Sequence, residues 1–115
     1  GIIHDEDERV AVPLLRALNA VAGIVVGANE PYSPADLVYY TLERHARSRG
    51  LACAMIEIRN NEIAAGAGQA KWAELLAAIL PKISIAATDK APPVSERSRP
   101  PPADAAEKHK RPSTV

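Results

Sequence analysis

The chain has no phenylalanine, one tryptophan and three tyrosines in 115 residues, so any core it builds must be largely aliphatic. It has a single cysteine, Cys53, which excludes an intrachain disulfide and a thiolate metal site built from this chain alone. Cys53 lies in an apolar stretch, which predicts a buried, inert thiol rather than a nucleophile. Net charge is lacking too. Fourteen basic residues balance fourteen acidic ones, and nothing marks the chain as a polyelectrolyte that binds nucleic acid. No apolar run approaches the ~20 residues that a membrane-spanning helix needs, and no signal peptide is visible. The expected compartment is the cytoplasm, with neither nucleic acid nor membrane as a partner.

Proline, by contrast, is plentiful and unevenly placed. Six of the 10 prolines fall between Pro92 and Pro112, among Ser, Arg, Lys and Glu. From residue 86 onward large apolar side chains almost vanish, too few to offset an ordering entropy of about 1–2 kcal/mol per residue. Residues 86–115 therefore read as a disordered tail. Residues 1–85 read as a small α/β unit, of a size at which only about 60% of the unfolded surface can be buried. The opening Gly1-Ile2-Ile3, with no initiator Met, looks like a strand entered in mid-course and favours a piece of a larger domain.

Along that unit, Ile2 and Ile3 suit the end of a buried strand. The acidic run His4 to Glu8 suits a loop leading into a helix, whose positive end it would meet. Val10, Leu14, Leu15 and Leu18 recur at spacings of three and four, which predicts a helix over 8–20, with Pro13 tolerated near its first turn. Gly23 breaks it. Ile24-Val25-Val26 predicts a short buried strand, followed by a loop from Asn29 to Pro34 at the strand's C-terminal edge, where open α/β sheets bind ligands. Ser33-Pro34-Ala35-Asp36 can cap a helix over 35–49, stopped by Gly50. Residues 51–58 predict a strand buried on both faces, and residues 66–80 a helix ended by Pro81. Alternation of strand and helix argues for a mostly parallel sheet with flanking helices.

Glu57 stands out on physical grounds. A carboxylate at the end of an apolar strand is costly to bury charged, so it is paired, protonated, bound to a metal or placed at the mouth of a site. Arg59, two residues on, shares its face if the strand continues. Its planar fork could clamp a substrate carboxylate, or it could simply neutralise Glu57, as could Arg44. Asn29 and Tyr32 lie in the loop after the second strand, a usual place for site residues, although Pro-Tyr-Ser-Pro is also a plain turn former. Thr41 and His45 are four apart on the predicted helix, hence on one face. Of the three histidines, His4, His45 and His109, none stands in a zinc-binding spacing, which leaves only His4 with Asp5 or Asp7.

Several segments together resemble the C-terminal half of the N-formylglutamate amidohydrolase family. They are Asp7 and Arg9 as an Asp-x-Arg element, Asn29-Glu30-Pro31-Tyr32-Ser33, Tyr40-Thr41 with His45, Arg49-Gly50-Leu51, Glu57-Ile58-Arg59-Asn60 and Gly68-Gln69-x-x-Trp72-Ala73. Each is short, but their order is collinear over most of residues 2–80. The likeness is to the branch carrying Asn-Glu-Pro-Tyr-Ser. Asn61 departs from it, standing where the pattern has Asp.

The resemblance implies a zinc-carboxypeptidase-like (phosphorylase/hydrolase-like) α/β fold, present here in part, and hydrolysis of N-formyl-L-glutamate to formate and L-glutamate in histidine breakdown, or of a related N-acyl amino acid. It implies Glu57 as the general acid/base. It implies Arg59, Asn29, Tyr32, Thr41 and His45 as substrate-binding residues. It also implies zinc, whose ligands lie in an N-terminal half that precedes anything in this sequence, so this chain alone is expected to be inactive. The competing expectation is a non-catalytic remnant acting as an interaction module, through its α/β core and through Pro100-Pro101-Pro102 flanked by arginines. An uncovered sheet edge predicts self-association.

Overall fold

The computed structural model describes residues 1–83 and 92–93. The tail expected over 86–115 lies outside the described residues apart from Pro92 and Pro93, and so does His109. Two short strands and three helices make up the rest: β1 (Ile2–Ile3), α1 (Ala11–Asn19), α2 (Tyr40–His45), β2 (Met55–Ile56) and α3 (Gly66–Ile79). Single 3-10 turns lie at Pro34–Asp36, Arg47–Arg49, Asn60–Glu62 and Leu80–Lys82.

β1 is the centre of the arrangement. It pairs antiparallel with β2, Ile2 opposite Ile56 and Ile3 opposite Met55. The ladder extends by one residue, because the Glu57 N–H donates to the Gly1 carbonyl at 2.9 Å and the Gly1 nitrogen donates to the Glu57 carbonyl at 2.7 Å. On its other side β1 meets the loop after α1. There the Ile2 N–H donates to Gly27 O at 2.9 Å and the Asn29 N–H to Ile2 O at 2.8 Å, giving an isolated parallel bridge between Ile2 and Ala28.

The expected mostly parallel sheet is thus corrected. Among the described residues the paired strands are antiparallel, and that bridge is the parallel contact. Alternation of strand and helix does not by itself fix direction. One helical crossover returns the chain parallel, as α1 does between β1 and Ala28, whereas the longer path through α2 brings β2 back the other way. Residues 24–26 form no strand, and Val25 is 98% exposed. The run 51–58 is a strand only at Met55 and Ile56, both half-buried rather than buried on two faces.

The broader α/β reading stands, as a mixed helix and sheet unit. Successive residues of a strand point to opposite faces, and β1 uses both. Ile2 packs with Ala11, Leu14 and Leu18 of α1 and Ile79 of α3. Ile3 packs with Tyr39 and Cys53, with Leu42 of α2 against them. Met55 follows Ile3 and Ile56 follows Ile2, as their pairing requires. Cys53 is buried, as its surroundings in the sequence predict.

α1 is shorter than the expected 8–20, and α3 matches its expected span to within one residue. The helix expected over 35–49 is broken into pieces. The Asp36 carboxylate accepts from the Ser33 N–H at 2.7 Å and from its hydroxyl at 3.1 Å, closing a tight turn on itself. Leu37 then takes φ 62, a left-handed conformation that ends the turn before α2 can begin. Gly50, at φ 69, ends the Arg47–Arg49 turn as its identity suggests. A left-handed leucine is strained by its Cβ, and Leu37 is 64% exposed, so little packing rewards it. Leu37→Gly is expected to stabilise the fold by about 1 kcal/mol, or roughly 4–8 °C in Tm, read by thermal unfolding. A lower Tm would mean that the Leu37 side chain is held by contacts that matter more than its backbone.

Among the described residues no helix is long and apolar enough to cross a membrane.

Candidate functional site

The end of β2, the loop after α1 and Trp72 of α3 line a concavity of about 950 Å³. Its lining includes Glu30, Tyr32, Glu57, Arg59, Glu62 and Trp72. Three of the six residues singled out from the sequence, Glu57, Arg59 and Tyr32, therefore meet at one place. Their positions follow from the backbone. Pairing with Gly1 fixes Glu57 at the end of the ladder, and the 3-10 turn at Asn60–Glu62 begins directly after Arg59. Tyr32 follows the Glu30-Pro31 peptide on the opposite wall and is about half exposed.

Among the described residues no ion pair joins Glu57 to Arg59 or to Arg44. The ion pairs of Asp5, Asp7, Arg9 and Arg47 form another cluster, and Arg44 donates to the Tyr40 hydroxyl at 3.2 Å instead. Neutralisation of Glu57 by either arginine is thus not what the structure displays. The lining brings three carboxylates, Glu30, Glu57 and Glu62, together with the Arg59 guanidinium.

Asn29, Thr41 and His45 are not in this concavity. Asn29 has φ 52, a left-handed value that asparagine tolerates better than most residues. Its side-chain oxygen accepts the His4 N–H at 2.9 Å. With its own N–H on Ile2, it fastens the loop to β1 from both ends. Thr41 and His45 lie exposed on α2, whose residues pack on the far face of the sheet.

A second polar cluster went unread in the sequence. Asp5, Asp7 and Arg47 are buried, although their surroundings suggest a solvated acidic loop. Arg47 Nε donates to Asp5 Oδ2 at 2.6 Å, its Nη1 lies 3.5 Å from Asp7 Oδ2, and its Nη2 donates to the Pro92 carbonyl at 2.8 Å. Arg9 clamps Asp7 with two bonds of 2.8 and 2.7 Å and donates to the Gly50 carbonyl at 2.9 Å. The Arg9 bond holds the Asp7 carboxyl below the usual carboxylate range, against burial, which works the other way. Burial also opposes the charge on Arg47, but its bond to Asp5 and the two carboxylates more than compensate, and its pKa is raised. Asp7 and Arg9, read from the sequence as an Asp-x-Arg element, thus serve here as a buried brace between the 4–9 loop and the Arg47–Arg49 turn.

Beside this brace the Tyr39 hydroxyl and the Cys53 sulfur lie 3.5 Å apart. Burial, reinforced by Cys53, pushes the Tyr39 phenol far above its ordinary value. Burial likewise raises the Cys53 thiol, against the opposing effect of the Tyr39 bond.

Among the described residues no three His, Cys, Asp or Glu side chains converge in a way that could hold a metal ion. His4 turns its Nδ1 to the Asp5 carbonyl at 2.7 Å, and the Asp5 and Asp7 carboxylates are taken by arginines. The described residues do not fit a zinc site.

A solved structure resembles the chain in both backbone and sequence. It is the crystal structure of gene product Atu2144 from Agrobacterium tumefaciens, 42% identical, with a TM-score of 0.67. The likeness covers 72% of this chain and 32% of that one, so the chain spans about a third of that protein's length. No protein-family model matches the sequence, and no curated protein matches it significantly.

Residues that sequence reading left out of the site are Glu30, Glu62 and Trp72. Glu30 and Trp72 stand inside segments already noticed for other reasons, and that membership was the available signal. Glu62 gave none.

Proposed function

We propose that the chain carries the acid/base and carboxylate-binding portion of a hydrolase acting on an N-acyl amino acid, with N-formyl-L-glutamate, cleaved to formate and L-glutamate as in histidine degradation, as the leading substrate. The observation that supports it best is that Tyr32, distant in sequence, lines one concavity with Glu57 and Arg59. This reading takes the described unit as part of a larger domain of the zinc-carboxypeptidase type. The likeness covers only 32% of the similar Agrobacterium tumefaciens protein, which leaves room for that remainder.

In amide hydrolysis a water oxygen bonds to the acyl carbon, the C–N bond breaks, and the water's proton ends on the leaving amine. Glu57 suits the proton transfer in both directions, as a base toward the water and then as an acid toward the nitrogen. Arg59 can donate two parallel hydrogen bonds to one substrate carboxylate. Tyr32, half exposed on the opposite wall, closes the site from the other side. Zinc, which the family resemblance implies, finds no ligand set among the described residues, and no step is assigned to it. The Arg59 guanidinium matches one carboxylate. The second carboxylate of formylglutamate would face a lining with three glutamates, so the acyl amino acid class is better supported than this member of it.

The test measures formate release from N-formyl-L-glutamate and from N-formyl amino acids with neutral side chains. It uses this chain and the longest reading frame that contains it. Glu57→Gln is expected to lower the rate about 10²–10⁴-fold while leaving substrate binding intact. An equally active Glu57→Gln protein would remove Glu57 from the mechanism.

A second reading, an interaction module without catalysis, is favoured by one observation. Val25, Leu37 and Leu51 are more than half exposed on a unit that matches only a third of a longer protein. Concentration-dependent self-association with no hydrolysis of any acyl amino acid would support it.

A further inference from the structure

We propose that Gly68, Gln69 and Trp72 are positioning residues that hold the turn after β2, and with it Arg59, at the wall of the concavity. This rests on the hydrolase reading for its meaning, but its physical content is local. The motif Gly68-Gln69-x-x-Trp72 lies in the first half of α3. Spacings of one, three and four place its three residues on one side of the helix.

All three reach the same turn. A Cβ at Gly68 would lie 2.0 Å from the Glu62 carbonyl oxygen and 3.1 Å from its carbon, so only glycine lets the helix approach that backbone. Gln69 Nε2 donates to the Ile63 carbonyl at 3.0 Å. Trp72 Nε1 donates to Glu62 Oε2 at 3.4 Å. The turn is otherwise closed only on itself, with the Glu62 N–H on Arg59 O at 3.0 Å and the Ile63 N–H on Asn60 O at 3.3 Å. Among the described residues, no other hydrogen bond from outside the turn reaches residues 58–63.

The contacts are of a kind that fixes geometry more than it adds stability. Both side-chain bonds are exposed, and exposed hydrogen bonds contribute little to folding because water competes for the same groups. Trp72 lines the concavity together with Arg59, Asn60 and Glu62, so the helix that holds the turn is also a wall of the site. A movement of the turn would displace Arg59 without breaking either hydrophobic cluster.

The experiment uses the full chain and nuclear magnetic resonance. Amide exchange is followed at Glu62, Ile63, Ile2 and Ile56, and N-formyl-L-glutamate is titrated while the Arg59 Nε–H and Trp72 Nε1–H signals are observed. In Gln69→Ala, exchange at Glu62 and Ile63 is expected to rise about tenfold with Ile2 and Ile56 unchanged. Affinity for the probe is expected to fall about three- to tenfold. That fall should disappear when Arg59 is already glutamine, which a merely structural role would not produce. Trp72→Phe, which keeps the ring and loses the donor, should act in the same direction and more weakly.

Unchanged exchange at Glu62 and Ile63 overturns the proposal. So does an affinity loss that persists undiminished in the Arg59→Gln background. If the unaltered chain does not bind the probe, the hydrolase reading loses its support, while the exchange rates still decide whether the motif holds the turn.

Discussion

Arg47→Ala is expected to cost about 3–5 kcal/mol of stability and to lower the urea midpoint by roughly 2 M or more. The Arg47 side chain is only 1% exposed, and its guanidinium serves Asp5, Asp7 and the Pro92 carbonyl at once. Replacing it leaves the Asp5 carboxylate buried without its 2.6 Å partner, and an uncompensated buried charge is the expensive case. Asp7 keeps Arg9, so the damage concentrates at Asp5. A unit of this size has a total stability of about 4–12 kcal/mol, so the loss is a large fraction of the whole. Arg47→Lys should recover only part of it, because an ammonium cannot present a planar fork to three acceptors. Arg47→Met combined with Asp5→Leu should be far less damaging than Arg47→Ala alone, since no charge is then stranded. If the single and double replacements cost the same, the brace is a packing feature and its charges are incidental.

Alkaline pH should weaken the fold through Tyr39 and Cys53. Both groups hold their protons more tightly in the folded state than in the unfolded chain. A group with a raised folded pKa contributes stability that is full below its unfolded value and is lost as pH rises from that value toward the folded one. The unfolded values are about 8.5 for cysteine and 10 for tyrosine, so the loss begins near pH 8.5 and steepens near 10. Its slope reaches about 1.4 kcal/mol per pH unit for Tyr39, which alone accounts for about 1.4 kcal/mol at pH 11, and Cys53 adds to the loss in the same direction. Urea unfolding at pH 7, 9, 10 and 11 measures this directly. Tyr39→Phe should flatten the part above pH 10, and Cys53→Ala the part that starts lower. A Tyr39→Phe protein with the same pH profile as its parent would exclude Tyr39 as the source.

What could be read from the sequence depended on how local the determining forces are. α3 was legible because Gly66 and Pro81 bracket it and its periodicity lies within one segment. The helix expected over 35–49 was misjudged because a cap at Ser33–Asp36 and a stop at Gly50 bracket it, and nothing in a leucine announces a left-handed backbone at Leu37. The strand direction was hidden for a similar reason, since the route of a connection is set by packing rather than by its residues. At the site, Glu57 and Arg59 were visible as charges that interrupt or end an apolar run. Asp5 and Asp7 looked like ordinary helix-leading acids, because the partner that makes them buried, Arg47, arrives from far along the chain. The short motif Gly68-Gln69-x-x-Trp72 was noticed for its resemblance, but its physical role needed the Glu62 carbonyl beside Gly68 to become apparent.

The two residues of β1 have a further consequence for the order of assembly. Ile2 and Ile3 are the hub of both hydrophobic clusters, yet their partners Ile56, Cys53 and Ile79 are made much later on the ribosome. At synthesis rates of about 5–20 residues per second, Ile79 follows Ile2 by roughly 4–15 s. Through that interval α1 and the Ala28 bridge can form against Ile2, while the other edge of β1 waits for β2. Nascent chains halted before β2 are therefore in the state where a hydrophobic segment is open to chaperones, and release from them should coincide with the emergence of α3.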